Sequence, residues 1–400
     1  MCFRESSEAT KNNAGGIMQS SLKSWGGVLA IALLLPGVVV ADDALTLYGR
    51  ANVSLEEQSN GQTTGTYISS NSSRLGVTAT YDFNSNITVF AQYESGVDAT
   101  GKGASEGDGN GGQPGAQGQL FTRARDTFAG LRGRWGAIKF GRLSEGGANA
   151  WVYDVNYFAD VLGDAGTLLS IAAPYGRADS TVNYALPEMG GFGLNVSYTP
   201  KDTTASNVSG SAVLNASYSV RIVTIQAHYA RFDRSTVGAT TISGAKDPAV
   251  AAVSVAVKFT GGTAGAEYVR DSNEGGIDGR NRDIATVGAD YKLGGGTLKA
   301  QYIIAGSYSN SGNASIYSVG SGYATNNGKT GAQQFAIGYE YPLGHKASLY
   351  IVYSRMGNDA YASFTPADYG HGRSAGVAAP GDNPYGVGIG LTYDFAVGWK

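Results

Sequence analysis

Cys2 is the only cysteine among 400 residues, so no disulfide can close within the chain and no cysteine-based metal site is available. Charge is also scarce: Asp, Glu, Lys and Arg make up 15% of the chain against the usual quarter. Setting aside residues 1–41, with three basic and two acidic side chains, leaves 26 basic and 30 acidic residues. That mild acidic balance excludes a nucleic-acid partner, which needs a basic patch. The three histidines, His228, His345 and His371, show no H-E-x-x-H or other tight ligand spacing. No metal and no cofactor is expected. Beyond Ala41 no apolar run approaches the ~20 residues of a spanning helix, so a membrane role requires a closed β-barrel.

The one long apolar run, Val28 to Ala41, reads VLAIALLLPGVVVA, with Lys23 before it and Val39-Val40-Ala41 at its end. Pro36-Gly37 interrupts it, which fits a secretory signal better than a membrane anchor, and cleavage is predicted between Ala41 and Asp42. Met18 precedes a conventional basic leader, so residues 1–17 read as an extension or an upstream start. The expected division is residues 1–41 as signal peptide, 42–395 as barrel and 396–400 as a short C-terminal extension, dispensable unless the last strand runs on through Val397 and Trp399, which continue its alternation.

Glycine is abundant at 60 residues and tyrosine at 25. The glycines have no three-residue period, which excludes collagen, and 42% hydrophobic residues exclude wholesale disorder. Many short strands with aromatic ends fit better. Between Ala44 and Glu57, Leu45, Leu47, Ala51, Val53 and Leu55 alternate with Thr46, Tyr48, Arg50, Asn52, Ser54 and Glu56. Period two defines a strand with one apolar and one wet face. The alternation returns around Val253, Leu298 and Phe335. Breaks at Gly, Asn, Asp and Pro place strands near 44–57, 72–83, 86–98, 120–133, 135–143, 174–185, 191–200, 210–220, 221–232, 248–260, 262–271, 282–293, 296–308, 331–341, 345–357 and 385–395.

A soluble β-sandwich would alternate too. The apolar faces here are almost free of charge, and tyrosine and phenylalanine recur at strand ends, as in a lipid-facing band with aromatic girdles. Short connections alternate with long ones at 58–71, 99–119, 233–247, 309–330 and 358–384. The prediction is all-β: a transmembrane antiparallel β-barrel of 16 strands, wide enough for an aqueous channel.

Leu47-Tyr48-Gly49-Arg50, Ser73-Arg74-Leu75-Gly76, Gln92-Tyr93-Glu94-Ser95-Gly96, Thr127-Phe128-Ala129-Gly130-Leu131, Phe140-Gly141-Arg142, Val152-Tyr153-Asp154 and Gly190-Gly191-Phe192 follow one another in an order that resembles the general trimeric porins of Gram-negative outer membranes. The resemblance covers nearly all of Ala44 to Phe395. It implies export to the outer membrane, a homotrimer surrounded by lipid and lipopolysaccharide, and passive diffusion of small hydrophilic solutes and ions. It also implies a third external loop, roughly Ser144 to Ala173, folded inward. On the wall side of the constriction it places Arg50, Arg74, Arg142 and Arg177, with Arg125 beside them and Glu94 as a pore-lining acid. Asp154, Asp160 and Asp164 would supply the loop's acidic side. Independently of the resemblance, Arg50, Arg74 and Glu94 fall on polar strand faces, and a charge facing lipid near mid-membrane costs about 2–4 kcal/mol. They should face water.

No catalytic motif stands against this. Gly107 to Gly112 satisfies G-x-G-x-x-G but has no helix after it, and Gly328-Lys329-Thr330 lacks the first glycine of a phosphate loop because Tyr323 stands there. His228, on a polar face, reads as a lumen residue. An adhesin or receptor barrel acting through its external loops, or a barrel hydrolase, are the alternatives that fold alone leaves open.

Overall fold

The computed structural model describes residues 44–100, 121–173, 175–201, 210–233, 236–237, 240–241, 246–310, 328–367 and 369–399. The proposed signal segment lies outside them. Eighteen hydrogen-bonded strand segments form one antiparallel sheet. They make sixteen staves because two staves are each broken once.

In chain order these are β1 (Ala44–Ser59), β2 (Thr64–Ser70 and Arg74–Asn84), β3 (Ile87–Val97), β4 (Phe121–Ala124 and Thr127–Gly133), β5 (Gly136–Leu143), β6 (Ala178–Ala185), β7 (Phe192–Thr199) and β8 (Ser211–Val220). The second half is β9 (Val223–Phe232), β10 (Ala249–Phe259), β11 (Gly262–Ser272), β12 (Arg282–Leu293), β13 (Gly296–Ala305), β14 (Ala332–Pro342), β15 (Ala347–Asn358) and β16 (Tyr385–Trp399). Each pairs with its sequence neighbour, and β16 returns to β1 in continuous register from Leu45↔Trp399 to Ser59↔Tyr385. The sheet is closed and has no free edge, so every backbone polar group in the wall can be satisfied within it.

Two boundaries differ from the sequence reading. Residues 64–70 were expected in a long loop, yet they pair with the far half of β1, Val53↔Ser70 to Ser59↔Thr64. Asn60-Gly61 before them and Ser69 to Ser73 after them read as loop, but Thr64, Thr66, Tyr67 and Ile68 are strand formers, and β1 offers them a ready-made partner. Of the two readings of residues 396–399, an extension or a longer last strand, the second holds: they continue β16 and pair with Leu45 to Tyr48. Deleting residues 396–400 therefore removes part of the closing seam, and loss of the compact, heat-modifiable form in gel electrophoresis is the expected result.

Side-chain parity inverts the soluble pattern. Leu55, Val253, Ile304, Ile351 and Ile389 are each about half exposed (48–56%) on the outside. Asn52, Thr78, Thr80, Asn183, Ser197, Gln226, Gln301 and Ser354 are buried inside. Near the short-turn end, Trp135 stacks on Tyr184 at 6.2 Å, Phe259 on Tyr291 at 6.4 Å and Tyr393 on Phe395 at 6.1 Å, with both rings of each pair on the outer face. The turns at that end are tight: between β12 and β13, Gly294 (φ 57) and Gly295 (φ 87) form a two-residue hairpin whose positive φ values disfavour other residues.

Candidate functional site

The connection from β5 to β6 carries the short helical turns Ser144–Gly146, Ala148–Ala150 and Gly166–Leu169. Its apolar side chains are buried against the wall. Trp151, Leu168 and Leu169 join Phe232, Val250, Val269, Ile284, Ile303 and Met356, which are inward positions of β9 to β15. Residues 154–164 then run round the inner wall, and their contacts can be followed stave by stave. Asp154 meets β9 and β10, where His228 Nε2 lies 2.6 Å and Ser254 Oγ 2.8 Å from its Oδ2. Tyr157 N donates to Gln301 Oε1 of β13 at 2.9 Å, and Asn52 Nδ2 of β1 donates to Asp160 O at 2.9 Å.

Glycine makes room for this course. A Cβ on Gly265 would lie 3.2 Å from Val155, on Gly288 2.5 Å from the Tyr157 ring, on Gly338 3.0 Å from Phe158 and on Gly386 3.0 Å from Leu162. All four glycines point inward, one from each of β11, β12, β14 and β16. They form a shelf on which the apolar edge of the segment rests.

The connection from β15 to β16 packs on the same segment. Gly163 N donates to Pro366 O at 3.0 Å, Asn149 and Tyr369 hydrogen-bond at 2.5 Å, and the Tyr369 ring fills the space beside Gly166. His371 Nε2 lies 2.8 Å from Glu56 Oε1, which ties this connection to β1. Two of the chain's three histidines thus link a loop to the wall through a buried carboxylate.

Charge collects where residues 154–164 reach β1 and β2. Arg50 and Arg74 are directly opposite one another in the register. Such a like-charge pair is destabilising alone. Asp160 lies between them, its Oδ2 at 3.5 Å from Arg50 Nη1 and 3.2 Å from Arg74 Nη1. Burial works to raise the Asp160 carboxyl, but the guanidiniums of Arg74, Arg125 and Arg50 hold it below the usual carboxylate range. Asp160 has φ 63, a left-handed conformation that aspartate and asparagine tolerate better than most residues. Arg50 also makes a bidentate pair with Asp394 of β16, at 2.7 and 3.0 Å.

Next to this, Arg125 Nε donates to Glu94 Oε1 at 2.5 Å and Tyr48 Oη donates to Glu94 Oε2 at 2.9 Å. Arg50 and Arg74 keep 23% and 20% of their side chains exposed, against 8% for Arg125, so they present the accessible charge. The other predicted residues have partners of their own. Arg142 pairs with Asp179, and Arg177 Nε donates to Asp126 Oδ1 at 3.1 Å. Asp164 is a bracket inside its own loop, accepting from Asn156 Nδ2, Asp160 N and Gly166 N at 2.7–2.8 Å. Burial, then the charge of Asp160, push its carboxyl up to about 7.

Of the three loop aspartates, Asp160 alone reaches an arginine through an ion pair among the described residues. The wall acids Asp126, Asp179 and Asp394 were missed. Asp394 was within reach, since it alternates with outward Tyr393 and Phe395.

The contacts of Asp154 can be tested separately from the cluster around Asp160. Asp154→Ala leaves His228 and Ser254 buried without their partner, an expected loss of about 1–3 kcal/mol in urea unfolding of the detergent-folded barrel. Asp179→Ala, at a carboxylate 60% exposed, should leave the unfolding midpoint unchanged.

A closed barrel with an apolar outer belt and a polar, charged interior is a transmembrane barrel. The chain belongs to the Gram-negative porin family, whose model matches residues 27–361. It is therefore an outer-membrane protein. It is 30% identical over 199 residues to a chitoporin of Vibrio furnissii, a match covering 47% of this chain and 50% of that protein. The chain thus spans about half the length of the curated relative it matches. Solved folds agree along nearly the whole barrel. An anion-selective porin from Comamonas acidovorans has a TM-score of 0.62 at 17% identity, covering 88% of this chain and 100% of that one. OmpT of Vibrio cholerae has a TM-score of 0.60 at 18% identity, covering 90% and 100%.

Proposed function

We propose that the barrel is a passive channel for small hydrophilic solutes and ions, narrowed by residues 144–173 folded into its lumen, with Arg50 and Arg74 facing Asp160 at the constriction. The observation that carries this is the single carboxylate held between two part-exposed arginines on a wall that is otherwise polar within and apolar without. A ring of opposed charges in a water-filled constriction is how pores discriminate ions. Glu94 and Arg125 form the supporting pair beside it. Arg142, Arg177, Asp154 and Asp164 hold the surrounding backbone.

The working assembly we infer is a homotrimer embedded in lipid and lipopolysaccharide, by analogy with the trimer form of OmpT, whose fold this chain shares. The mature chain would begin at Asp42, which N-terminal sequencing of outer-membrane protein tests. Purified protein in a planar bilayer should open stable, ohmic channels. A receptor barrel or a hydrolase would give none, and absence of channels from correctly folded protein would overturn the reading.

A further inference from the structure

Beneath residues 157–161, toward the short-turn end, the barrel holds a half-open cavity of about 1160 Å³. Its roof is apolar and aromatic, made by Tyr157, Phe158 and Val161 with Tyr350 at the side. Its other boundary is basic. Lys258, Lys292 and Lys346 line it from the ends of β10 and β12 and the turn before β15, together with Lys299 and Arg50. Three acids share the space, and each is engaged. Asp394 pairs with Arg50 at 2.7 Å, Glu340 pairs with Lys299 at 2.6 Å, and Asp290 accepts Thr263 N at 2.9 Å. Lys258, Lys292 and Lys346 are exposed and form no ion pair among the described residues. The balance of full charges in the cavity is positive, and it sits under an apolar ceiling.

We propose that this vestibule is a weak binding site for small organic anions that carry an apolar body, of which aromatic monocarboxylates are the simplest class. The ring would lie against Tyr157, Phe158 and Val161 and the carboxylate would face the lysines. A cavity with low-dielectric walls and charge of one sign concentrates counter-ions, and burial of the ring adds a term that an inorganic anion lacks. The site adjoins the Arg50–Arg74–Asp160 cluster, sharing Arg50 with it, and is set apart by Lys258, Lys292 and Lys346. Its lysines lie at the turn end of the barrel, so its effect should be stronger from that side. The inference rests on the lumen being the permeation path.

The test uses the full mature protein in a planar bilayer at low salt, with benzoate, acetate or benzyl alcohol added to one side at a time. Benzoate from the short-turn side should reduce the current at concentrations about tenfold below those needed for acetate, and neutral benzyl alcohol should leave it unchanged. The combined variant Lys258→Gln, Lys292→Gln, Lys346→Gln should raise the benzoate requirement about tenfold. Its folding is checked by heat-modifiable migration, and single Lys292→Gln serves if the triple variant does not fold. Equal potency of benzoate and acetate, block by benzyl alcohol, or an unchanged benzoate requirement in the folded variant would each overturn the proposal. Wild-type protein that opens no channels would overturn the permeation path itself, whereas open channels indifferent to benzoate would overturn this site alone.

Discussion

Asp160→Asn shifts the reversal potential in a potassium chloride gradient toward the chloride value, with the anion-to-cation permeability ratio rising about three- to tenfold at 0.1 M salt and little at 1 M. The reason is local. Asp160 is the carboxylate between Arg50 and Arg74, and its removal leaves two part-exposed guanidiniums without it. Arg50 keeps Asp394, so the uncompensated charge resides chiefly on Arg74. Asparagine keeps the left-handed backbone at this position, where φ is 63, so the loop should hold its course. The reciprocal change, Arg50→Gln with Arg74→Gln, should move selectivity toward cations. Arg142→Gln should not, since its charge is already spent on Asp179. If Asp160→Asn leaves reversal potential and low-salt conductance unchanged, the constriction is not where these three charges meet.

Gly288→Leu is expected to lower single-channel conductance and destabilise the folded barrel. Even a Cβ at Gly288 would stand 2.5 Å from the Tyr157 ring, a separation that real atoms do not sustain, so the segment must leave its shelf. The wall is continuous sheet and cannot retreat, which leaves displacement toward the axis. Overpacking of this kind costs about 1–3 kcal/mol. Bilayer recording gives the conductance and urea unfolding gives the stability. Ala251→Leu is the comparison for large substitutions as such: Ala251 is exposed on the outer face of β10, in step with Val253 and Val255, so the larger side chain creates no clash in the lumen and conductance should hold.

Much of the barrel was legible because strand parity is a local signal. The alternation at Val253, Val255 and Val257 fixes which side chains meet lipid without reference to anything distant. Residues 64–70 are hidden because loop-type residues flank a short run on both sides, and their place in the wall is set by pairing with the far half of β1. Among the site residues, the inward faces of Arg50, Arg74 and Glu94 could be read from parity, whereas their partners could not. Whether Asp154, Asp160 or Asp164 meets an arginine depends on how the segment winds round the wall, and the steps of that winding are set by glycines on four other staves. An inward glycine in a strand announces that something approaches closely. It does not say what.

The contacts of the last connection also bear on how the barrel forms and how long it lasts. Gln58 Nε2 donates to Arg373 O, Ala375 N donates to Gln58 Oε1, Arg373 N donates to Ser69 Oγ and Gly372 N donates to Asn71 Oδ1. These bonds fasten a segment near the end of the chain to staves near its start, beside the seam where β16 meets β1. None can form until some three hundred residues of wall have been laid down, so they have very high contact order and belong to the final step of folding. Interactions absent from the folding transition state act by slowing unfolding. The loop at the end of the chain is then a latch on the seam, and its contribution should be read in the lifetime of the assembled barrel more than in its rate of formation.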